Sequence, residues 1–421
     1  MPKELVLAKA PPVDLGNLPL VTDQTRSGSE SIETIYNRLK SGSVVVPDYQ
    51  RDAEQWDVRK ESLFIESIIN NLTVPAFFFA DSTDGPAEVV DGQQRLNTIE
   101  KFRDGGFAIS DDEGMVYITP QSVHYRGKYY TDLDMRLKRV FDEYPLTIIY
   151  LPKSMEQAVK LEIFRRINEG GTPLTAQDIR LSYYSDSESI TFIRVAGIYA
   201  PPHNSPSAAR MLKAASNREI DNPWDAHPEI WTEWMGWWEG RAKAKGQTPS
   251  EMFLWYLVAR YRSNLDALLS RPDSLKHLNL TFRGTTEEAL DIFCAQLRHT
   301  DRTRESAGLP AYTGALVEEF DLFASWFGWA LAKIPGLSVD KYKQLALFIA
   351  AAAGAEYDPK DLSDEVWAAI AEFIRTPRKF AADRGTPYPE QKGRWSGDKG
   401  QRAQCQAVAD IVKAVVQSNG R

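Results

Sequence analysis

The apolar pattern of this chain changes character once, and that change limits the fold more than any other feature. Up to about residue 185, short β-branched or aromatic runs alternate with amphipathic helical stretches; beyond about residue 230 nearly every apolar pattern has the helical period. VVVP (44–47), VPAFFFAD (74–81), AEVVD (87–91) and YPLTIIYL (144–151) read as strands, as does the region near 107–118. Between them, SIETIYNRLKSG (31–42) places Ile32, Ile35, Tyr36 and Leu39 on one face. ESLFIESIINNL (61–72) does the same with Phe64, Ile65, Ile68, Ile69 and Leu72. SMEQAVKLEIFRRINEGG (154–171) has Ser154 as N-cap and a glycine stop, and Thr175, with Asp178 three residues on, opens the next helix. Interleaved strands and helices followed by helices alone predict an α+β domain joined to an all-α helical bundle.

With 421 residues there is room for two domains. The expected division is an arm over 1–28, an α+β domain over 29–190, a connection with short helices over 191–229, and a helical domain over 230–421. Ten of the eleven tryptophans lie beyond residue 220. The stripe Trp231, Trp234, Trp237 and Trp238 is read as packing rather than as a ligand platform. No apolar run reaches the roughly 18 residues of a membrane span, and MPKELVLAKAPPVDLG lacks the apolar core of a signal peptide, so a cytoplasmic protein with no membrane partner is expected. Two cysteines, Cys294 and Cys405, and five scattered histidines offer neither a disulfide framework nor a zinc site. A net charge of −8 argues against a surface that coats nucleic acid. One basic stretch stands out: Arg375, Arg378, Lys379, Arg384, Lys392, Arg394, Lys399 and Arg402 against Asp383, Glu390 and Asp398, a local +5 (8 − 3). It is either a solvated loop before the last helix or a DNA contact through Arg378, Lys379, Arg394 and Lys399.

The chain has no GxxxxGK[ST], no GxGxxG after a strand, no HExxH and no GxSxG. Three other stretches could do chemistry. In VVDGQQRLNTIEKF (89–102) a strand ends, Gly92 turns, and a helix begins with Gln93, Gln94 and Arg95 in its first turn. Helix N-termini favour anions, and arginine grips phosphate in a bidentate fork. Asp91 could hold Mg²⁺ on such phosphates, or a ribose hydroxyl. The alternative is an aspartate cap followed by solvated polar residues, and the residues alone weigh the two equally. In PDYQRDAEQW (47–56), Tyr49, Gln50 and Arg51 offer a stacking ring, an amide and a second guanidinium, or simply a polar loop. In FRRINEGGTPLTAQDIR (164–180), Arg165 and Asn168 are candidates, whereas Gly170 and Gly171 read as ordinary helix-ending glycines.

The order PxYQR…W, then VVDGQQRLxT, then FxxINxxGxPLxxxDIR resembles the N-terminal domain of GmrSD-type proteins over roughly residues 30–185. The resemblance implies a ParB/sulfiredoxin-like fold in which the DGQQR turn takes the part of a phosphate-binding turn. It further implies binding and hydrolysis of a nucleoside triphosphate, often GTP, with a divalent metal (Mg²⁺), in bacterial defence against phage or modified DNA. Carried onto this chain, Asp91, Gln93, Gln94 and Arg95 are the expected catalytic residues, with Asp91 also as metal ligand. Tyr49, Gln50, Arg51, Gly92, Arg165 and Asn168 would bind the nucleotide. Many relatives add an HNH-type nuclease half. Here the second half holds only His203, His227, His277 and His299, so nuclease activity is expected from a separate subunit.

Two classes of function follow. One is an NTP-hydrolysing sensor or regulator in a restriction system, with homo-oligomers open to it. The other is a non-hydrolysing ParB-like switch, or a DNA-binding adaptor that recruits a separate nuclease.

Overall fold

The computed structural model describes residues 25–46, 56–81, 85–112, 114–117, 120–152, 163, 175–203, 205–239, 248–269, 287–305, 308–312, 314–388 and 397–419. The chain divides into two compact units, Met1–Pro173 and Leu174–Arg421.

The first unit is α+β. Its strands are β1 (Arg26–Ser31), β2 (Val44–Val45), β3 (Phe77–Ala80), β4 (Ala87–Asp91) and β5 (Pro145–Leu151), and its helices are α1 (Ile32–Lys40), α2 (Val58–Ile69), α3 (Gln93–Arg103) and α4 (Met135–Glu143). The strands form one mixed sheet in the order β1-β5-β3-β4-β2. β4 runs antiparallel to β3, with Phe78 opposite Asp91, and parallel to β2, with Val44 opposite Ala87. The end of β4 and the start of β3 therefore meet at one end of the sheet, and β2, whose Val45 lies opposite Glu88, points toward the same end. The parallel pairing of β5 with β3 sets Leu151 opposite Ala80, so β5 ends at the other end.

Helices start where the sequence supplies an acceptor for an orphan N–H. Ser31 caps α1 by accepting from Thr34 N (3.2 Å), Asp57 caps α2 from Lys60 N (2.8 Å), and Asp134 caps α4 from Leu137 N (2.9 Å). The apolar stripes then close one core: Ile32, Ile35, Ile65, Ile68, Leu96, Ile99, Phe102 and Phe141 pack with Phe77, Phe79, Val89 and Ile148 of the strands.

Two expectations are corrected. The arm expected over 1–28 gives way at Arg26 to β1, which reaches Ser31. RSGSES shows no alternation because β1 lies at the sheet's margin and joins through its backbone to β5. The strand expected near 107–118 is absent among the described residues there. Phe107 and Ile109 are buried, yet Ile109 exchanges two backbone hydrogen bonds with Gly127 and Lys128 (2.7 and 3.0 Å) rather than entering the sheet. The helix expected over 154–171 lies outside the described residues except for Ile163, which is helical.

The second unit contains helices only among its described elements. They are α5 (Ala176–Tyr183), α6 (Glu188–Ala196), α7 (Pro206–Ser216), α8 (Pro228–Glu239), α9 (Thr248–Arg260), α10 (Arg262–Leu269), α11 (Glu288–Thr303), α12 (Leu316–Lys333), α13 (Tyr342–Gly354), α14 (Asp364–Arg375), α15 (Pro377–Asp383) and α16 (Gly397–Asn419). The division between units falls upstream of residue 190, because α5 is tied into this unit. Gln177 Nε2 donates to Ser250 Oγ (3.0 Å), and the fully buried Arg180 donates through Nε to Asp291 Oδ1 (2.7 Å). Every residue of α6 after Glu188 is buried, so 191–196 is core and not connection. Trp234 and Trp238 are completely buried, and Trp234 lies 5.0 Å from Trp224 and 5.1 Å from Phe327. Trp234 and Trp238 of the stripe are thus core packing, while Trp231 and Trp237 are half-buried.

Candidate functional site

β4 ends at Asp91, and the chain turns through Gly92 at φ +99°, ψ 12°, into α3. That left-handed conformation suits glycine, and space demands it as well: a Cβ at position 92 would collide with the Phe77 ring. Leu96 N donates to Gly92 O (2.9 Å) and starts the helix. Among the described residues no side-chain cap hydrogen bond is made at the start of α3. The helix thus presents its first turn, and the positive end of its dipole, at the end of the sheet where β4 stops. Gln93 is buried and Gln94 half-buried in that turn.

Arg95 points elsewhere. Only 9% exposed, its guanidinium donates to Asp91 Oδ2 (2.7 Å), to Ala76 O (3.1 Å) and to Pro75 O, and its Cζ lies 4.5 Å from the centre of the Phe77 ring. Burial pulls this guanidinium below its ordinary pKa, and the Asp91 charge opposes the shift. Arg95 is therefore a clamp between the start of β3 and the end of β4. Asp91 is its counter-ion. A single aromatic ring, Phe77, bars any side chain at 92 and supports the guanidinium at 95.

The sequence-predicted residues separate into three groups. Asp91, Gly92, Gln93, Gln94 and Arg95 stand together at the β4–α3 turn. Tyr49, Gln50, Arg51, Arg165 and Asn168 lie outside the described residues. The flanks of the Tyr49-Gln50-Arg51 stretch are nevertheless informative: β2 lies beside β4, Val46 is buried, and Trp56 N donates to Gln94 Oε1 (3.4 Å) while its ring packs edge-on to Phe64. Both described ends of that stretch are anchored on the β4–α3 element. Arg165 and Asn168 follow β5, which ends at the far end of the sheet.

The third group belongs to the second unit and is described by itself. Arg378 and Lys379 are exposed on α15, Lys399 is exposed on α16, and Arg394 lies outside the described residues. Much of the surrounding positive charge is used internally. Arg375 donates to Pro335 O (3.0 Å), Arg384 stacks 3.6 Å over Phe380, and Arg402 pairs with Asp398 (2.9 Å) and Asp266. The solvated loop expected before the last helix is in part helix α15.

Among the described residues no group of three or more His, Cys, Asp or Glu side chains could hold a metal ion, and the carboxylate of Asp91 is paired with Arg95. No described helix is long and apolar enough to cross a membrane. Sequence reasoning missed Phe77 and the carbonyls of Pro75 and Ala76. FFF signals only a strand, and a backbone acceptor leaves no mark on residue type.

Residues 32–185 match the family model described as GmrSD restriction endonuclease, N-terminal domain. The matched segment contains the DGQQR turn, the YQR stretch and the INEGG stretch. No curated protein and no solved structure was found to match this chain.

Proposed function

We propose that this GmrSD-type domain, ParB-like in fold, binds and hydrolyses a nucleoside triphosphate, with GTP favoured, at the β4–α3 turn, and that the bound state regulates restriction of phage or modified DNA by a separate nuclease subunit. One observation carries the reading. One described flank of the Tyr49-Gln50-Arg51 stretch, Trp56, is tied to Gln94 in the first turn of α3, and the other runs on from β2, which pairs with β4. The phosphates lie against that helix end, where backbone N–H groups and the dipole favour an anion. Gln93 and Gln94 orient them, Arg51 supplies the counter-charge, and Tyr49 stacks on the base or sugar. Arg95 is a positioning residue, since Asp91, two carbonyls and Phe77 hold it. Mg²⁺ accompanies the triphosphate as part of the substrate; the described side chains make no resident metal site, and no step is assigned to one.

Binding without turnover is the second reading. It is favoured by the engagement of Asp91 and Arg95 with each other, which takes both from the set of acid, base and charge-neutralising groups that hydrolysis needs.

Equilibrium binding and phosphate release, measured on the full chain for each of the four nucleoside triphosphates with Mg²⁺, with and without DNA, test both readings. Saturable binding that Arg51→Ala weakens at least about tenfold supports the site, a loss in keeping with one charge-assisted hydrogen bond. Release of phosphate selects hydrolysis, and binding alone selects the switch. No saturable binding of any nucleotide at millimolar concentration eliminates the proposal.

A further inference from the structure

The turn between α7 and α8 carries a charge pattern unrelated to the site in the first unit. From Glu219 to Glu239 the sequence has six carboxylates and no lysine or arginine. Three of them, Glu219, Asp221 and Asp225, line a cavity of about 530 Å³ that also has Ile198, Leu212, Ile220 and Trp231 in its wall. That volume lies within the ~300–1,000 Å³ of small-ligand sites. Its apolar side is firm: Ile198 and Ile220 are buried, and Trp231 packs 5.4 Å from the buried Trp224. Its charged side chains are all acidic; the neutral Ser216 and Asn222 stand beside them, and Asn222 Nδ2 donates to Asp225 Oδ1 (2.7 Å). The neighbouring cation, Arg218, is turned away, donating to Ser185 O (2.8 Å) and Thr191 Oγ1 (2.9 Å). Glu219 follows the C-terminus of α7, where the helix dipole disfavours an anion and a bound cation would relieve it.

We infer that this cleft binds an organic cation: a guanidinium or ammonium held among Glu219, Asp221 and Asp225, with its apolar stem against Trp231 and Ile220. An aromatic face and carboxylates attract the same head group, while the hydrocarbon stem of such a ligand covers the apolar wall. Phosphates and nucleic acid are repelled by the same charges. The chemistry is shared by an arginine side chain on a partner peptide and by a free polyamine.

Isothermal titration of the full chain distinguishes the sources, using spermidine, an acetyl-Gly-Arg-Gly-amide peptide and its citrulline counterpart. Saturable binding of one cationic probe at a single site is expected, with none for the citrulline peptide. Glu219→Gln/Asp221→Asn should weaken that binding about tenfold, as the loss of two exposed ion pairs requires, and 0.5 M salt should weaken it in the wild type. Peptide binding assigns the arginine side chain, and spermidine binding assigns the free polyamine. The inference is overturned if neither probe binds at millimolar concentration, or if the double variant, with an unchanged circular dichroism spectrum, binds as the wild type does.

Discussion

Arg95→Ala is expected to destabilise the first unit by about 3–5 kcal/mol, the cost of breaking a largely buried ion pair by removing one partner. The side chains of Arg95 and Asp91 are only 11% and 20% exposed, so little screening discounts that figure. The intact pair is itself worth little, because burial lowers the guanidinium's pKa more than Asp91 raises it. The loss comes instead from what is left behind: the Asp91 carboxylate and the Pro75 and Ala76 carbonyls without their donor, and a Phe77 ring without its cation. Arg95→Lys keeps the charge but not the fork that reaches several acceptors at once, and should cost about half as much. Hydrogen exchange over residues 75–103 in the full chain is the suitable assay, since the two units need not unfold together. A loss of 3 kcal/mol accelerates exchange there by roughly a hundredfold. Exchange within about threefold of the wild type, combined with lost nucleotide binding, would refute the clamp and return Arg95 to the ligand.

Gly92→Ala meets both a left-handed φ and the Phe77 ring; a destabilisation of about 2–4 kcal/mol is expected by the same exchange measurement, larger than for strain alone. Burial pushes the thiols of Cys294 and Cys405 up to about 12, so a thiol reagent at pH 8 should label neither in the native protein and both after denaturation. Burial raises the carboxyl of Asp104, but hydrogen bonds from Lys40 (2.7 Å) and Tyr36 (2.6 Å) outweigh it and hold the group below the ordinary carboxylate pKa. Its stabilisation is present above the ordinary carboxylate pKa and lost as pH falls through the depressed value. Asp104→Asn should therefore flatten the acid limb of an unfolding titration below pH 4, by only a few tenths of a kcal/mol because the group is partly exposed.

The strand-to-helix turn was legible because its signals are local. Val89 and Val90 favour a strand, Gly92 ends it, and Leu96, Ile99 and Phe102 recur at helical spacing. What the turn does with Arg95 was not legible, because its acceptors at Pro75 and Ala76 lie about twenty residues upstream and are backbone atoms. The same limit hid β1, whose six polar residues are a strand only because β5 lies alongside. Phe107 and Ile109 misled in the opposite sense: an apolar pair buried by a loop looks like a strand end when only spacing is read. In the second unit, Trp231, Trp234, Trp237 and Trp238 were assigned to packing together, and only Trp234 and Trp238 are completely buried, the other two being half-buried.

The margins of the first unit's sheet bear on how the protein behaves at high concentration. Its outermost strands are β1, a six-residue run of Ser, Gly, Glu and Arg, and β2, two residues long with Pro47 two positions beyond it. Neither offers a long apolar row of free donors and acceptors on which a second molecule could add a strand. The aromatic run Phe77–Phe79, the segment most prone to cross-β stacking, is in the central strand, shielded on both sides by β4 and β5. For the described strands, cross-β stacking would thus require prior loosening of the sheet, so conditions or variants that loosen β3 should produce turbidity.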